Sequence, residues 1–473
     1  MKGARCSAEN MKAELTQKDR RYLEKSLNAP EWKVILSVGT PLAMYQVLHT
    51  VFTVLDTMMA AHISKESVAA VAYLAQLNLL LSALGGGLAV GSGIMISRAY
   101  GQGAYTKVRR MVSSLYALCL LTGLCLLAGI VPFAGVFLRM AGTPEGLIDV
   151  GRGYFIVQMF AMVVTFLNNV YIAVERARGN ARRIFWVNMA VIAVKLGLTA
   201  VFVYLMGGGL VMIAVATLLS QCVLLGVALR NSLGGENAFS FSLRAVTFRR
   251  EILFPMLNFS LPVVVEKMLF AFGKTVVNSM CTVYGELMVG ALGVSNNLGS
   301  LSTNPQNGFQ EGGAAVMSQN FGAGKTRRVL RAFAAVLAVN VVLGGVISAL
   351  ELWQIHALAS LFDSGSPEFH EMICQTYRYE ALGAVPLGIN AAVLSLLYGL
   401  GKTRLTLLLN VSRVFVFRIP VFWMLQNLTS LGSGSVGLMM MLSNTLVAVM
   451  AVVLAAREVL LLHRSYASGA GGN

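Results

Sequence analysis

A carboxyl group in the first long apolar stretch of the chain has the setting of an ion-binding group. Asp56 lies in the run Val54-Leu-Asp-Thr-Met-Met59, where a charged side chain is expensive to keep. A carboxyl group in such surroundings can bind a proton near neutral pH and release it when its environment changes. The sequence therefore predicts an ion-coupling role for Asp56. The alternative is an aspartate that is solvated at the end of a membrane helix.

A second group of charges lies in the apolar stretch 254–283, which contains Glu266, Lys267 and Lys274. The two lysines are seven residues apart and share a helix face. Glu266 is a candidate cation-binding carboxylate, or it is neutralised by a lysine in a purely structural pair. Both interpretations stay open from the sequence.

Cations outnumber acids in the apolar stretches of the C-terminal half, since Arg413 and Arg418 join the lysines there. Glu311 and Glu380 are expected nearer to helix ends. This balance favours an anionic or zwitterionic substrate bound near Lys274 and Arg418. The alternative is that these long side chains extend toward the interface or pair with carbonyl groups.

Several uncharged side chains are candidates for lining a substrate cavity. They are Asn168, Asn169, Asn188, Tyr45 and Phe270. An aromatic side chain at helical spacing is more often a packing or lipid-facing residue, so Tyr45 and Phe270 are the weaker candidates.

Cysteine and histidine usage indicates no metal site and no cofactor. The six cysteines include no Cys-x-x-Cys pair, and the five histidines are scattered along the chain. An integral-membrane enzyme would need clustered His, Asp or Glu, so enzymatic function is disfavoured.

The elements that must position these residues are membrane helices. Hydrophobic residues make up 56% of the chain and charged residues 12%, against about 25% charged in soluble proteins. Apolar stretches long enough to cross a bilayer predict twelve helices, and the segments are too long and too uniformly apolar for barrel strands. The twelve stretches are 34–61, 68–96, 111–137, 154–174, 184–206, 210–229, 254–283, 287–316, 329–353, 380–400, 405–426 and 435–462.

The distribution of Lys and Arg predicts the orientation and accounts for the net charge of +16. With both termini in the cytoplasm, most basic residues fall in the N-terminal arm, the cytoplasmic loops and the C-terminal end. This follows the positive-inside rule. We therefore expect a multi-pass protein of the plasma membrane with no nucleic-acid partner, since no basic patch is left over.

The chain is also an internal duplication. Pro41, Gly87 and Gly91 recur 221 residues later as Pro262, Gly308 and Gly312. Two copies with six spans each enter the membrane in the same direction, as in many secondary transporters. We expect an all-α integral membrane fold of two pseudo-twofold-related six-helix bundles. The expected segments are a cytoplasmic arm 1–33, bundles 34–229 and 254–462, a linker 230–253 and a tail 463–473.

With these motifs in register, the chain resembles the MATE (multidrug and toxic compound extrusion) family of the MOP flippase superfamily. The most specific segments are Gly91…Ser97-Arg98…Gly101-Gln-Gly103 and Gln310-Glu-Gly-Gly313…Gln319-Asn320-Phe321-Gly322-Ala323-Gly324, joined by Pro41 and Asp56 in the first helix and by Arg178-Gly179-Asn180. The resemblance covers about residues 30–462. It implies that Asp56 is networked with Asn168, Asn169 and Asn188. A second acid is missing from the fifth helix, where Ile192 stands four residues after Asn188.

The resemblance implies a secondary antiporter that exports small organic compounds in exchange for H⁺ or Na⁺ by alternating access. It would work in the lipid bilayer with no cofactor, H⁺ or Na⁺ being the coupling ion, and we expect a monomer because the internal duplication removes the need for a dimer. The first alternative is a lipid-linked saccharide flippase of the same superfamily, because those relatives also carry cations in a central cavity. The second, remote alternative is an integral-membrane enzyme.

Overall fold

The computed structural model describes residues 14–63, 65–141, 143, 145–233, 237–362 and 366–467. For residues 51–63, 65–73, 147, 150, 204, 286 and 465–467, only the backbone is described.

The described chain is a succession of α-helices, which the uninterrupted apolar stretches require because their backbone hydrogen bonds must be satisfied internally. The helices of the first half are α1 (Gln17–Asn28), α2 (Glu31–Ile63), α3 (Lys65–Gly101), α4 (Tyr105–Ile130), α5 (Ala134–Met140), α6 (Glu145–Arg178), α7 (Ala181–Ala200) and α8 (Leu210–Ser232). Those of the second half are α9 (Arg250–Cys281), α10 (Glu286–Gly322), α11 (Thr326–Trp353), α12 (Ile355–Ser360), α13 (Pro367–Leu382), α14 (Ala384–Gly399), α15 (Thr403–Val411), α16 (Ile419–Leu428) and α17 (Gly434–Ala467).

Helices lie at all twelve predicted stretches, which confirms the predicted all-α membrane fold. Within the described residues, nine helical segments are long and apolar enough to cross a bilayer, and α13 with α14 forms a tenth that is bent by 43°. The two remaining helices are α2, whose second half has no described side chains, and α10, which is rich in Gly, Asn and Ser.

The contacts divide the chain into two compact units. Unit 1 comprises Met1–Lys25 and Leu48–Val264, and unit 2 comprises Ser26–Val47 and Val265–Asn473. The helices α2 and α9 are thus each divided between the units. The sequence placed each of them within one bundle, and the expected bundle boundaries stay a prediction.

Glycines at repeat-equivalent positions explain this division. A Cβ on Gly91 of α3 would lie 2.4 Å from the Ser260 Cα, and a Cβ on Gly308 of α10 would lie 2.4 Å from the Ala43 nitrogen. Only a residue without a side chain allows two helix backbones to approach so closely. The second helix of each half therefore packs on the first helix of the other half, within one compact unit in each case.

The helix that carries both C-terminal arginines is locally widened. Residues Ser412–Arg418 form a π-helical segment between α15 and α16. Such segments are uncommon and occur frequently at functional sites. Arg413 and Arg418 are thereby presented from an irregular part of the predicted stretch 405–426.

The N-terminal arm contains the short helix α1, in agreement with its amphipathic composition. Its Asp19 is buried and lies 3.1 Å from the Arg178 guanidinium in unit 1. The Tyr100 hydroxyl donates to the carbonyl of Asp19 at 2.5 Å. The arm is therefore attached to the fold by polar contacts. Of the predicted tail, residues 468–473 lie outside the described chain.

Candidate functional site

Glu266 of α9 lies at the centre of a buried polar cluster in unit 2, with only 7% of the residue exposed. The Tyr398 hydroxyl lies 2.8 and 3.1 Å from its two carboxyl oxygens. The Asn410 amide donates to Oε1 at 2.7 Å. Neutral donors from α14 and α15 thus surround a carboxyl group that would otherwise be costly to bury.

The Thr406 hydroxyl can make two alternative hydrogen bonds in this cluster. Its Oγ1 lies 2.9 Å from Glu266 Oε2 and also 2.9 Å from the Thr403 carbonyl. A hydroxyl has one proton to donate, so it donates either to the carboxylate or to the carbonyl. When it donates to the carbonyl, its lone pair can accept a proton from a neutral Glu266. The same geometry therefore accommodates both the charged and the protonated carboxyl group.

The described hydrogen bonds of Glu266 do not show the purely structural pair with a lysine, and the cation-binding interpretation stays a prediction. The described hydrogen bonds of Glu266 come from neutral side chains, and the adjacent Lys267 is exposed. The sequence did not identify Tyr398, Thr406 or Asn410 as partners. Their only signal was polarity within apolar stretches.

A second cluster in unit 2 gathers the C-terminal arginines around one amide. Asn444 Oδ1 accepts from Arg413 Nη2 at 3.0 Å and from Arg418 Nη2 at 3.1 Å. Arg418 is 2% exposed and also donates to Ser443 at 3.2 Å. Two guanidinium groups share one neutral acceptor, so this site carries concentrated positive charge.

Lys274 and Phe270 belong to the same region. The Lys274 ammonium lies 5.7 Å from the centre of the Phe270 ring, and the Arg413 guanidinium lies 5.5 Å from it. Both distances lie within the range of cation–π attraction. Lys274 itself is exposed, whereas Phe270 is half-buried. The sequence-predicted Lys274, Phe270 and Arg418 are therefore brought close together.

Glu380 lies in the last turn of α13, near a helix end as the sequence predicted, but inside the bent segment that α13 and α14 form together. The predicted stretch began at residue 380, which put this side chain at a helix end. In the structure α13 starts at Pro367, and Glu380 is 9% exposed just before the bend to α14. It accepts a hydrogen bond from Ser295 and lies within electrostatic range of Lys274, Arg413 and Arg418. The cation cluster thus contains one carboxylate.

The asparagine candidates of unit 1 have fewer described side-chain contacts than Glu266 has. Asn168 donates to the Gln221 side chain at 2.8 Å, and Asn188 donates to the Ile184 carbonyl of its own helix at 2.8 Å. Asn169 is half-buried. Asp56 lies in α2, but its side chain is outside the described residues. The predicted network around Asp56 therefore stays a prediction.

Tyr45 lies in the part of α2 that belongs to unit 2, where it is half-buried.

The histidines are scattered along the sequence, but the fold brings two of them together. His356 and His370 lie 3.2 Å apart, and Cys374 is beside them. The spacing of four between His370 and Cys374 was a signal in the sequence. No sequence pattern indicated that His356 joins them.

A model of the MatE family matches the chain twice, at residues 41–204 and 262–424. The two matches begin 221 residues apart, the same offset as the internal duplication. The family model thus recognises each half of the chain separately.

Individual similar proteins agree with the match to the MatE family model. The chain is 24% identical over 355 residues to the probable multidrug resistance protein YoeA of Bacillus subtilis, which covers 73% of this chain and 77% of the relative. A multidrug resistance MATE family transporter of the MOP superfamily, solved in an outward-facing conformation, matches with a TM-score of 0.89. It is 20% identical and covers 95% of this chain and 99% of its own.

A MOP superfamily transporter from Pyrococcus furiosus, described as having a binding pocket of reversed polarity, matches equally well, with a TM-score of 0.89 and 20% identity over 95% of this chain and 99% of its own. At this identity the solved structures establish the fold alone. Because the family model covers most of both halves, the protein belongs to the MatE family of multi-pass membrane transporters.

Proposed function

We propose that the protein is a secondary active antiporter, which exports small organic compounds in exchange for H⁺ or Na⁺ by alternating access. The observation that carries this proposal is the buried Glu266 with its adjustable neutral partners. A coupling group must be stable both with and without its ion. The Thr406 hydroxyl, with its two alternative acceptors, supports both states.

Sodium is a second possible occupant of this cluster. Hard cations prefer oxygen ligands, and Glu266, Tyr398 and Thr406 bring side-chain oxygens to one place. Asp56 remains the proposed coupling carboxyl group of unit 1. The chain would then carry one candidate coupling carboxyl group in each unit.

The substrate is proposed to be anionic or zwitterionic. Lys274, Arg413 and Arg418 place three cations in one region, together with the carboxylate of Glu380. An anionic group on the substrate would be stabilised by the guanidinium groups, which suit planar, bidentate recognition. Phe270 offers an apolar surface beside these charges.

The coupling proposal is tested by efflux from proteoliposomes under separately imposed proton and sodium gradients. Wild type is compared with Asp56→Asn and Glu266→Gln, and with Glu371→Gln as a matched control, since Glu371 is exposed on α13. We expect one gradient to drive efflux in the wild type and the control. Either coupling variant should lose most of the gradient-driven rate.

If neither the proton gradient nor the sodium gradient changes the efflux rate, the antiporter proposal is refuted. The flippase alternative would then be tested with a fluorescent lipid-linked saccharide in the same vesicles. Efflux that is coupled but unaffected by both substitutions would keep the antiporter and reject these two carboxyl groups.

The proposed placement is the plasma membrane, with both termini in the cytoplasm and the monomer as the working form. The positive-inside distribution of Lys and Arg supports this orientation. Protease accessibility of terminal tags in right-side-out and inverted vesicles tests it. The molar mass of the purified protein–detergent complex tests the oligomeric state.

A further inference from the structure

A cluster of three potential metal ligands lies away from both polar clusters of unit 2. His356 is the second residue of α12, and His370 and Cys374 are on α13. Their ligand atoms all lie within 4.8 Å of one another. Within the described part of the chain, no second group of His, Cys, Asp or Glu meets this condition. We propose that these three residues form a binding site for a zinc-type transition-metal ion.

The distances between the ligand atoms fit a tetrahedral metal. For typical Zn–N and Zn–S bond lengths, tetrahedral geometry separates two nitrogens by about 3.3 Å and a nitrogen from a sulfur by about 3.6 Å. In the structure, His356 Nδ1 lies 3.2 Å from His370 Nε2 and 3.6 Å from Cys374 Sγ. Two edges of the tetrahedron are thus already present without any rearrangement.

A hydrogen bond within the cluster can use only one of the two described contacts of His356 Nδ1. The Nδ1 atom of His356 carries either one proton or one lone pair in the ring plane. It faces two polar atoms, His370 Nε2 and Cys374 Sγ. One such atom makes only one well-directed hydrogen bond. A cation at the centre of the three atoms would accept a lone pair from each of them.

The scaffold holds the ligands in place by apolar packing. Ile355 and Ala359 of α12 and Ile373 and Cys374 of α13 are buried in one hydrophobic cluster. His370 and Cys374 are four residues apart and share a helix face. The fold therefore already orders the ligands, so metal binding would cost little of their conformational entropy.

The ligand set indicates the class of metal. One thiolate and two imidazoles suit Zn²⁺ and related soft or borderline ions, whereas Mg²⁺ and Ca²⁺ require oxygen ligands. His356 is exposed and gives access from solvent, and Cys374 is buried at the base. Three protein ligands leave a fourth position for water or another small ligand. A bound ion would tie α12 to α13.

The test is titration of the purified, reduced protein with Co²⁺ as a spectroscopic probe, followed by displacement with Zn²⁺. We expect about one equivalent of Co²⁺ with a thiolate-to-metal charge-transfer band and the intense visible bands of tetrahedral coordination. Zn²⁺ should abolish these bands and raise the apparent Tm. Cys374→Ser should lose the charge-transfer band, and His356→Gln should weaken Co²⁺ binding at least tenfold.

Matched controls are Cys222→Ser and His463→Gln, which change an exposed cysteine and an exposed histidine elsewhere. Both should bind Co²⁺ like the wild type. The proposal fails if the wild type gives no charge-transfer band, or if the band persists in Cys374→Ser. Should Cys374→Ser not fold, the exposed position His356 decides the question. None of these readouts depends on transport.

Discussion

The Tyr398 hydroxyl lies 2.8 Å from one oxygen and 3.1 Å from the other oxygen of the Glu266 carboxyl group. Both residues are buried, and they lie 132 positions apart in the chain. The hydroxyl can therefore donate a hydrogen bond to either carboxyl oxygen of an ionised Glu266.

We predict that Tyr398→Phe impairs ion coupling and leaves the fold intact. The substitution keeps the ring and removes one hydrogen bond to a charged group, worth about 1.5–3 kcal/mol. Gradient-driven efflux should fall roughly ten- to hundredfold, while the protein still elutes as a monodisperse species. Initial rates of efflux at several imposed gradients measure the effect.

The matched control is Tyr116→Phe. Tyr116 is also a buried tyrosine, but it bonds to Ser232 at 3.4 Å in unit 1. Its substitution should leave the coupled rate nearly unchanged. Equal loss in both variants would mean that general destabilisation, not the contact with Glu266, determines the rate.

A second prediction concerns Asn444, the amide between Arg413 and Arg418. Asn444→Asp replaces a neutral acceptor by a carboxylate of nearly the same shape, directly between two guanidinium groups. Such pairing is stronger than hydrogen bonding to an amide. We expect a higher Tm and weaker transport of anionic compounds, because the positive charge becomes neutralised within the protein.

Asn427→Asp is the control, since Asn427 is exposed and bonds only within its own helix in the described contacts. Transport assays with an anionic and a cationic dye separate the effects. If Asn444→Asp transports the anionic dye as well as the wild type does, the cation cluster does not bind the substrate's charge.

The sequence predicted the helices and the repeated glycines, because apolar stretches and repeated residues can be read directly from the sequence. The offset of 221 residues identified Gly91 and Gly312 as equivalent, and the structure packs each on the first helix of the other half. It did not predict that α2 and α9 are divided between compact units, since apolar periodicity says nothing about which half a helix packs against.

The polar partners were harder to predict, because they depend on contacts between distant helices. The sequence put Glu380 at the start of its apolar stretch, whereas it lies in the last turn of α13, which begins at Pro367 and is followed by a 43° bend to α14. His356 is separated from His370 by the connection between α12 and α13. Only the fold brings such residues together.

A third prediction concerns the N-terminal segment of unit 2. Arg328 Nη2 lies 2.6 Å from the carbonyl of Ala29, and its Nη1 lies 3.2 Å from Glu31. We expect Arg328→Ala to release the end of α1 and to accelerate limited proteolysis there several-fold, because the backbone carbonyls of Ser26 and Ala29 lose a charged donor. The neighbouring Arg327→Ala is the control, since Arg327 is exposed. Equal cleavage of both variants would show that Arg328 does not retain the segment.

A last prediction tests the close approach of helices at the equivalent glycines. A Cβ at Gly91 would meet the Ser260 backbone at 2.4 Å, and one at Gly308 would meet the Ala43 backbone at 2.4 Å. Backbone atoms cannot rotate away, so Gly91→Ala and Gly308→Ala should each cost about 1–3 kcal/mol through overpacking. Thermal unfolding in detergent should show a lower Tm for both.

Gly197→Ala provides the opposite expectation. Gly197 lies within α7, and nothing lies within 4 Å of a Cβ built there. Alanine stabilises a helix interior relative to glycine by roughly 0.5–1 kcal/mol, so this variant should unfold at the same or a higher temperature. A loss of stability at Gly197 equal to that at Gly91 and Gly308 would contradict the packing argument, because helix propensity and steric space would then not distinguish these positions.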